Sequence, residues 1–292
     1  MNIVLTAIAW FFILLLGILP FRILYFFSDF ARLILKDVFG YRKKVIVSNL
    51  QRCFPDATSK EIKKLTHDAY VNLMDVMAEG FKAFTMSRKQ IAARHKVLNP
   101  EILASYRDSQ INIIAAPTHF GNWEWGALSP TLYFDNQIAA FYTPLSNPHM
   151  DRRIRKNRSR TGTLLSSTRE TSKTFDALKN SRTIFIMAGD QSPSKKGAAQ
   201  AIWLDFLGQK TAFLHGIEKH AVARNLPVIF VDIRRVKRGY YELHLSWITE
   251  KPTELAQGEI TKLYAKKLEE QILKNPGNWL WSHRRWKLNQ EE

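Results

Sequence analysis

Residues 111–126 read INIIAAPTHFGNWEWG, and the rest of the chain is best read outward from them. Ile111 to Ala116 is an apolar run with the length and bulk of a buried strand. Pro117 and Thr118 end it. Asn122 is a good N-cap, so Trp123 and Glu124 open a helix toward Leu128. His119 and Glu124 lie five apart, about 140° around a continuous helix, and could not meet there. With His119 in the turn and Glu124 in the first helical turn they can, and Gly121 permits the tight backbone this needs. A neutral imidazole held by a carboxylate can take a proton from a hydroxyl. No Gly-x-Ser-x-Gly elbow supplies a protein nucleophile, so the hydroxyl would belong to a substrate. Spacing alone is weak support, since 8 His and 26 acidic residues give roughly 0.7 such matches by chance. The strand–turn–helix context adds weight, because open α/β sheets bind ligands at the carboxyl ends of strands.

The composition sets the class. The 292 residues are 46% hydrophobic and 24% charged, values of a globular chain. The net charge of +17 calls for an anionic partner: nucleic acid, anionic lipid, an acidic protein or a phosphorylated substrate. Cys53 is the single cysteine, so no intrachain disulfide and no Cys/His zinc pattern exist. His-Glu-x-x-His is absent, which argues against a metal hydrolase. No nucleic-acid-binding motif accompanies the charge.

At the N-terminus, Ile3 to Phe27 holds 25 residues with Arg22 the one charge. About 20 apolar residues span a bilayer, so an uncleaved transmembrane or membrane-anchoring helix is expected over residues 1–28, with the catalytic domain at 29–292. Arg22, Arg32, Lys36, Arg42, Lys43 and Lys44 flank it on the C-terminal side, which keeps the domain on the cytoplasmic face. A break falls at Phe39-Gly40. Thr58 or Ser59 with Glu61 opens a long amphipathic helix, apolar at Ile62, Leu65, Ala69, Leu73 and Val76. His67 lies on its polar side.

Further strands are expected at Gln137–Tyr142 and Thr183–Ala188, with helices from Pro148 and over Thr171–Asn180. The helix from Pro148 carries Arg152, Arg153, Arg155, Lys156, Arg158 and Arg160. Six cations in nine residues cannot all point one way; most are solvated, and some lie near the strand ends. Asp190, just past a buried strand, repeats the placement of His119 and can face the same cleft or simply form a turn. A helix is expected from Thr211 to Arg224, a strand pair at Pro227–Arg235 and Tyr240–Trp247, and a helix at Glu254–Lys274. Alternating strands and helices give an α/β fold with a central, mostly parallel sheet flanked by helices.

From the residues alone three readings stand: a membrane-anchored transferase acting on a lipid hydroxyl, a nucleic-acid-binding protein, and a membrane-tethered basic binding protein without chemistry. An anchor plus strands that end in His and Asp fits the first. HFGNWE at 119–124, YTPLSNPHMD at 142–151, NRSRTG at 157–162, GDQ at 189–191, FLG with Thr211, and NPGNWLWSHRRWK at 275–287 add specificity. Together the chain resembles the bacterial lipid A biosynthesis acyltransferases, within the wider glycerolipid acyltransferase fold. The resemblance implies acyl-acyl carrier protein as co-substrate, a hydroxyl on a lipid A precursor or another lipid as acceptor, and the cytoplasmic face of the bacterial inner membrane. It implies His119 and Glu124 as the catalytic pair, with Arg158 in the cleft and Asp190 as a strand-end aspartate. Gly121 and Asn122 belong to the same motif and are expected at the substrate, with backbone N–H groups near 121–123 as oxyanion donors. No metal, bound cofactor or nucleic acid is expected.

Overall fold

The computed structural model describes residues 3–107 and 109–290, with the side chains of residues 3–5 and 290 left aside. Residues 1, 2, 291 and 292, the outer ends of the expected anchor and domain, lie outside the described residues.

The strand at the heart of the fold is β2, Ile113–Ala116, buried on both faces. It is flanked by β5 (Thr183–Ile186) and β8 (Val228–Lys237). Then come β3 (Gln137–Tyr142) and β4 (Leu164–Ser167) on one side. On the other are β9 (Tyr240–Thr249) and the short β1 (His95–Val97). The order is β1-β9-β8-β2-β5-β3-β4. Every pairing in this sheet is parallel except β8 with β9, a hairpin. Continuous apolar runs such as IIAA are what a parallel sheet covered on both faces requires.

The two faces are covered unequally. Ile114, Ala116, Ala139, Phe185, Val228 and Phe230 point to a face packed by α3 (Lys43–Cys53), α4 (Ser59–Lys82), α7 (Thr171–Ala177), α8 (Gly216–Arg224) and α9 (Glu259–Lys274). Ile113, Ala115, Ile138, Ile184, Ile229 and Val231 point the other way, as strand alternation demands. There the cover is α5 (Arg88–Arg94) and short 3-10 turns at Pro100–Tyr106 and Trp123–Ala127. Such turns cannot fill a sheet face, and a cavity is left beneath them.

Several expectations hold in detail. The capping box forms, with the Glu61 N–H donating to Thr58 Oγ1 and the Thr58 N–H to Glu61 Oε2. Gly40 takes a left-handed φ of 57° at the break before α3. Cys53, set in a polar stretch of sequence, is nonetheless buried, and burial pushes its thiol up to about 12. Two differ. The helix expected from Thr211 starts only at Gly216 (α8), and Thr211 instead lies in a hairpin of β6 (Ile202–Phe206) and β7 (Gln209–Phe213) that turns at Leu207-Gly208. Left-handed Leu207 and Gly208 make its two-residue turn, a conformation the Leu conceals from a sequence reading.

The N-terminus is the larger correction. The expected single span is two helices, α1 (Ile3–Ile18) and α2 (Phe21–Leu33), and the boundary at 28/29 falls inside α2. Pro20 bars its predecessor from helical geometry and breaks the run. Sixteen residues rise about 24 Å, short of a hydrocarbon core of about 30 Å. Among the described residues no helix is long and apolar enough to cross a membrane. Both helices instead lie against α4. Lys82 Nζ donates to the carbonyls of Gly17 and Leu19, capping the end of α1. Arg238, in the β8–β9 turn, grips Asp29 of α2 at 2.8 and 2.9 Å and the buried Asp75 of α4 at 2.5 Å. Arg238→Ala should therefore cost about 1–3 kcal/mol of stability. Chemical denaturation should show this loss, and limited proteolysis should cut first near residues 34–42.

Candidate active site

The register of β2 against β5 builds the site. Ala115 pairs with Ile186, so His119 and Asp190 each lie four residues beyond a paired position. Parallel strands carry them to the same end of the sheet, side by side. His119 Nδ1 lies 2.7 Å from Asp190 Oδ1, and the His119 N–H donates to Asp190 Oδ2 at 2.9 Å. Trp279 Nε1 donates to the same Oδ2 at 3.1 Å. Asp190 is buried. Burial opposes its charge, but the His119 charge, the two His119 bonds and Trp279 outweigh that and hold it down to about 2. An ionised acceptor assigns the imidazole proton to Nδ1. Nε2 then carries the free lone pair, consistent with Gln191 Nε2 placed 3.3 Å from it. The ring is 22% exposed, enough for its Nε2 edge to meet a substrate. Burial disfavours the imidazolium, yet Asp190, with help from Glu124 and against Arg158, raises its pKa above the ordinary value.

The expected contact between His119 and Glu124 is corrected here: the carboxylate on His119 is Asp190. Gly121 turns left-handed at φ +55° and Asn122 caps a 3-10 turn at Trp125 N, 3.0 Å, rather than an α-helix. This aims Glu124 toward the end of α6 (Pro148–Arg158), where Arg158 Nη2 meets Glu124 Oε2 at 2.6 Å. Glu124 acts on His119 through its charge. Arg158 is the one cation of its run that lines the cavity; Arg152, Arg155 and Lys156 are exposed, and Arg153 lies over the Trp10 ring.

Gly121 and Asn122 do not reach the substrate space as expected. Asn122 is fully buried, with Nδ2 on Glu79 Oε2, and the Gly121 N–H is taken by the Asn278 carbonyl. Both belong to the scaffold of the turn. His67 is half-buried near Arg32, and His149 is exposed. Gln191, Trp123 and Trp279 are site residues the sequence reading did not single out. Gln191 and Trp279 lay inside motifs it quoted. Trp123, whose ring lies edge-on to the His119 ring with centroids 5.5 Å apart, stands inside the opening stretch itself.

From His119 a cavity of about 660 Å³ runs beneath the thinly covered sheet face. Ala115, Ile229, Val231, Leu243, Leu245 and Val97 mark its course from β2 across β8 and β9 to β1. That is three strand spacings, about 14 Å. Leu103, from the 3-10 turn above, lines it at the β1 side. Among the described residues no group of three or more His, Cys, Asp or Glu could hold a metal ion.

A carboxylate-held imidazole thus stands at the mouth of a long, mostly apolar cavity in an α/β fold. The family model described as bacterial lipid A biosynthesis acyltransferase matches residues 1–288, and the chain belongs to that family and is an acyltransferase. It is 21% identical over 273 residues to the lipid A biosynthesis palmitoleoyltransferase of Escherichia coli K12, covering 92% of this chain and 86% of the relative. It is 25% identical over 241 residues to a lipid A biosynthesis acyltransferase of Haemophilus influenzae, covering 80% and 73%.

Because Asp190 is what raises the His119 pKa, Asp190→Asn should slow turnover by about 10²-fold or more. If neutral His119 is the active form, activity falls as pH drops through its raised pKa. Removing Asp190 leaves burial dominant, so the acid limb of the kcat/KM profile should move to lower pH. A limb that stays in place would disprove the pairing.

Proposed function

We propose that the protein moves a fatty acyl chain from acyl-acyl carrier protein to a hydroxyl of a lipid A precursor, at the cytoplasmic face of the inner membrane. The observation that carries this is the apolar cavity opening at His119 Nε2. An acyl chain threaded into it leaves its thioester carbonyl beside the imidazole. His119 takes the proton of the acceptor hydroxyl as that oxygen attacks the carbonyl carbon. The tetrahedral intermediate expels the carrier thiolate, which recovers the proton from the imidazolium. Asp190 holds the Nδ1 proton and stabilises the transient positive charge. Arg158, steadied by Glu124, faces the oxyanion. The route uses no metal or bound cofactor.

The surface supports the donor and the location. The charge of +17 suits an acidic carrier protein and anionic headgroups. Ile8, Phe11, Phe12, Leu15 and Ile18 of α1 form an exposed stripe, as do Ile23, Phe26, Phe27, Phe30 and Leu33 of α2. Exposed apolar stripes of this size mark a lipid-contacting surface. Arg22, Arg42, Lys43 and Lys44 are exposed beside them, as an interfacial helix pair at anionic lipid requires.

His119→Ala should abolish transfer in a folded protein, and mass spectrometry of lipids from cells with and without the gene should show lipid A short of one secondary acyl chain. An unchanged lipid A with another lipid altered would assign a different acceptor. Tight nucleic-acid binding at physiological salt without acyl transfer would overturn the reading.

The cavity end sets chain length. Leu103→Trp should fill it and lower kcat/KM for the longest donor the wild type accepts by at least about tenfold, while shorter donors keep theirs. A uniform loss across donor lengths would remove the chain from this cavity.

A further inference from the structure

The turn that carries His119 and Glu124 rests on a buried carboxylate outside the motif. Glu79 lies in the last turns of α4 and is fully buried. Its Oε2 accepts from Asn122 Nδ2 at 2.5 Å and from the Tyr241 hydroxyl at 2.8 Å. Its Oε1 accepts from the Tyr25 hydroxyl at 2.7 Å. Its backbone carbonyl accepts from Trp125 Nε1 at 3.0 Å. One residue thus holds both ends of the segment 122–125. Asn122 Oδ1 caps Trp125, and the Asn122 carbonyl lies 3.1 Å from Nε2 of the buried His95. The next residue, Gly80, passes beneath Glu124, whose Cγ would lie 3.9 Å from any Cβ there.

Among the described residues no cation bonds to Glu79. Arg235 and Arg238 are both spent on Asp75, and the donors to Glu79 are neutral. A carboxylate in such surroundings costs stability that well-packed apolar groups would not. Burial pushes its pKa up to about 7 against those hydrogen bonds. What the carboxylate supplies is direction: two oxygens accept from three donors fixed on α2, β9 and the active-site turn.

We infer that Glu79 is a positioning residue for acyl transfer, aiming the segment 119–125 through Asn122 so that His119 and Glu124 face the cavity mouth together. The inference rests on His119 acting as the base. Apolar Met at this position removes both carboxylate acceptors and leaves the backbone bond to Trp125, whereas Gln keeps one oxygen for Asn122 and turns its amide to the Tyr25 hydroxyl, which can accept.

The test is steady-state kinetics on purified full-length variants, with acyl-acyl carrier protein and acceptor, beside thermal denaturation. Glu79→Met should lower kcat by about 10²-fold with KM for the donor within about threefold, the scale of a catalytic group misplaced by about 1 Å. Glu79→Gln should recover most of that loss. Tyr25→Phe, which removes a bond to the same carboxylate on the side away from the turn, should keep kcat within about twofold. Should Glu79→Met fail to fold, Asn122→Asp sets a carboxylate against Glu79 while keeping the cap on Trp125. It should lose at least about tenfold in kcat, and the double variant Glu79→Gln/Asn122→Asp should restore it. Wild-type kcat in Glu79→Met or Asn122→Asp, or equal losses in Glu79→Met and Tyr25→Phe that track melting temperature, would overturn the inference. Activity in folded His119→Ala would overturn the base assignment and the inference with it.

Discussion

The structure depends on the parallel register between β2 and β5. Pairing Ala115 with Ile186 sets His119 and Asp190 at equal distances past the sheet edge, where they meet at 2.7 Å. A shift of one residue would turn one strand's side chains to the wrong face and part the two groups. The register is in turn held by burial on both sides: Ile113 and Ile184 point to one face and Ile114 and Phe185 to the other, all with almost no exposure. Hydrophobic alternation in the core thus fixes the His119–Asp190 contact at its rim.

The two faces of the sheet divide the work. Helices α3, α4, α7, α8 and α9 fill one face and give the domain its main core. The opposite face is roofed by short turns and leaves room for a chain-shaped ligand. The roof is also where the turn carrying His119 sits, so the imidazole and the cavity share one wall. Asp190 is steadied by Trp279, from the aromatic C-terminal segment, which also bridges Phe120 in the turn itself. A segment far along the chain thereby braces both halves of the site.

The N-terminal helices are tied into the same frame. Asp75, fully buried on α4, is met by Ser28 of α2 and by Arg235 and Arg238. One turn further on, Glu79 is met by Tyr25 of α2 and by the active-site turn. Helix α4 therefore presents two buried carboxylates. Asp75 joins α2 to the β8–β9 hairpin through the Ser28 hydrogen bond and two arginine ion pairs, and Glu79 joins α2 to the active-site turn through neutral hydrogen bonds.

The sequence by itself determined the runs of β2, β3, β5, β8 and β9, the Thr58–Glu61 cap and the placement of His119 and of Asp190 each just past a buried strand, because these rest on local periodicity and on residues a few positions apart. Spacing put some of the six cations near the strand ends, and only the family resemblance singled out Arg158, which lines the cavity. The sequence reading misjudged the partner of His119, since spacing favoured Glu124, and the choice of Asp190 lies in a pairing register between strands some 70 residues apart. Glu79 follows Val76 by three on the apolar stripe of α4, a local anomaly that spacing shows but whose meaning needs Asn122, Tyr25 and Tyr241, which come from three other segments. The apolar N-terminal run was read as one span because hydropathy averages over Pro20. Only the folded chain shows two helices laid on α4, because a proline break and the Lys82 cap outweigh the continuity of the hydrophobic run.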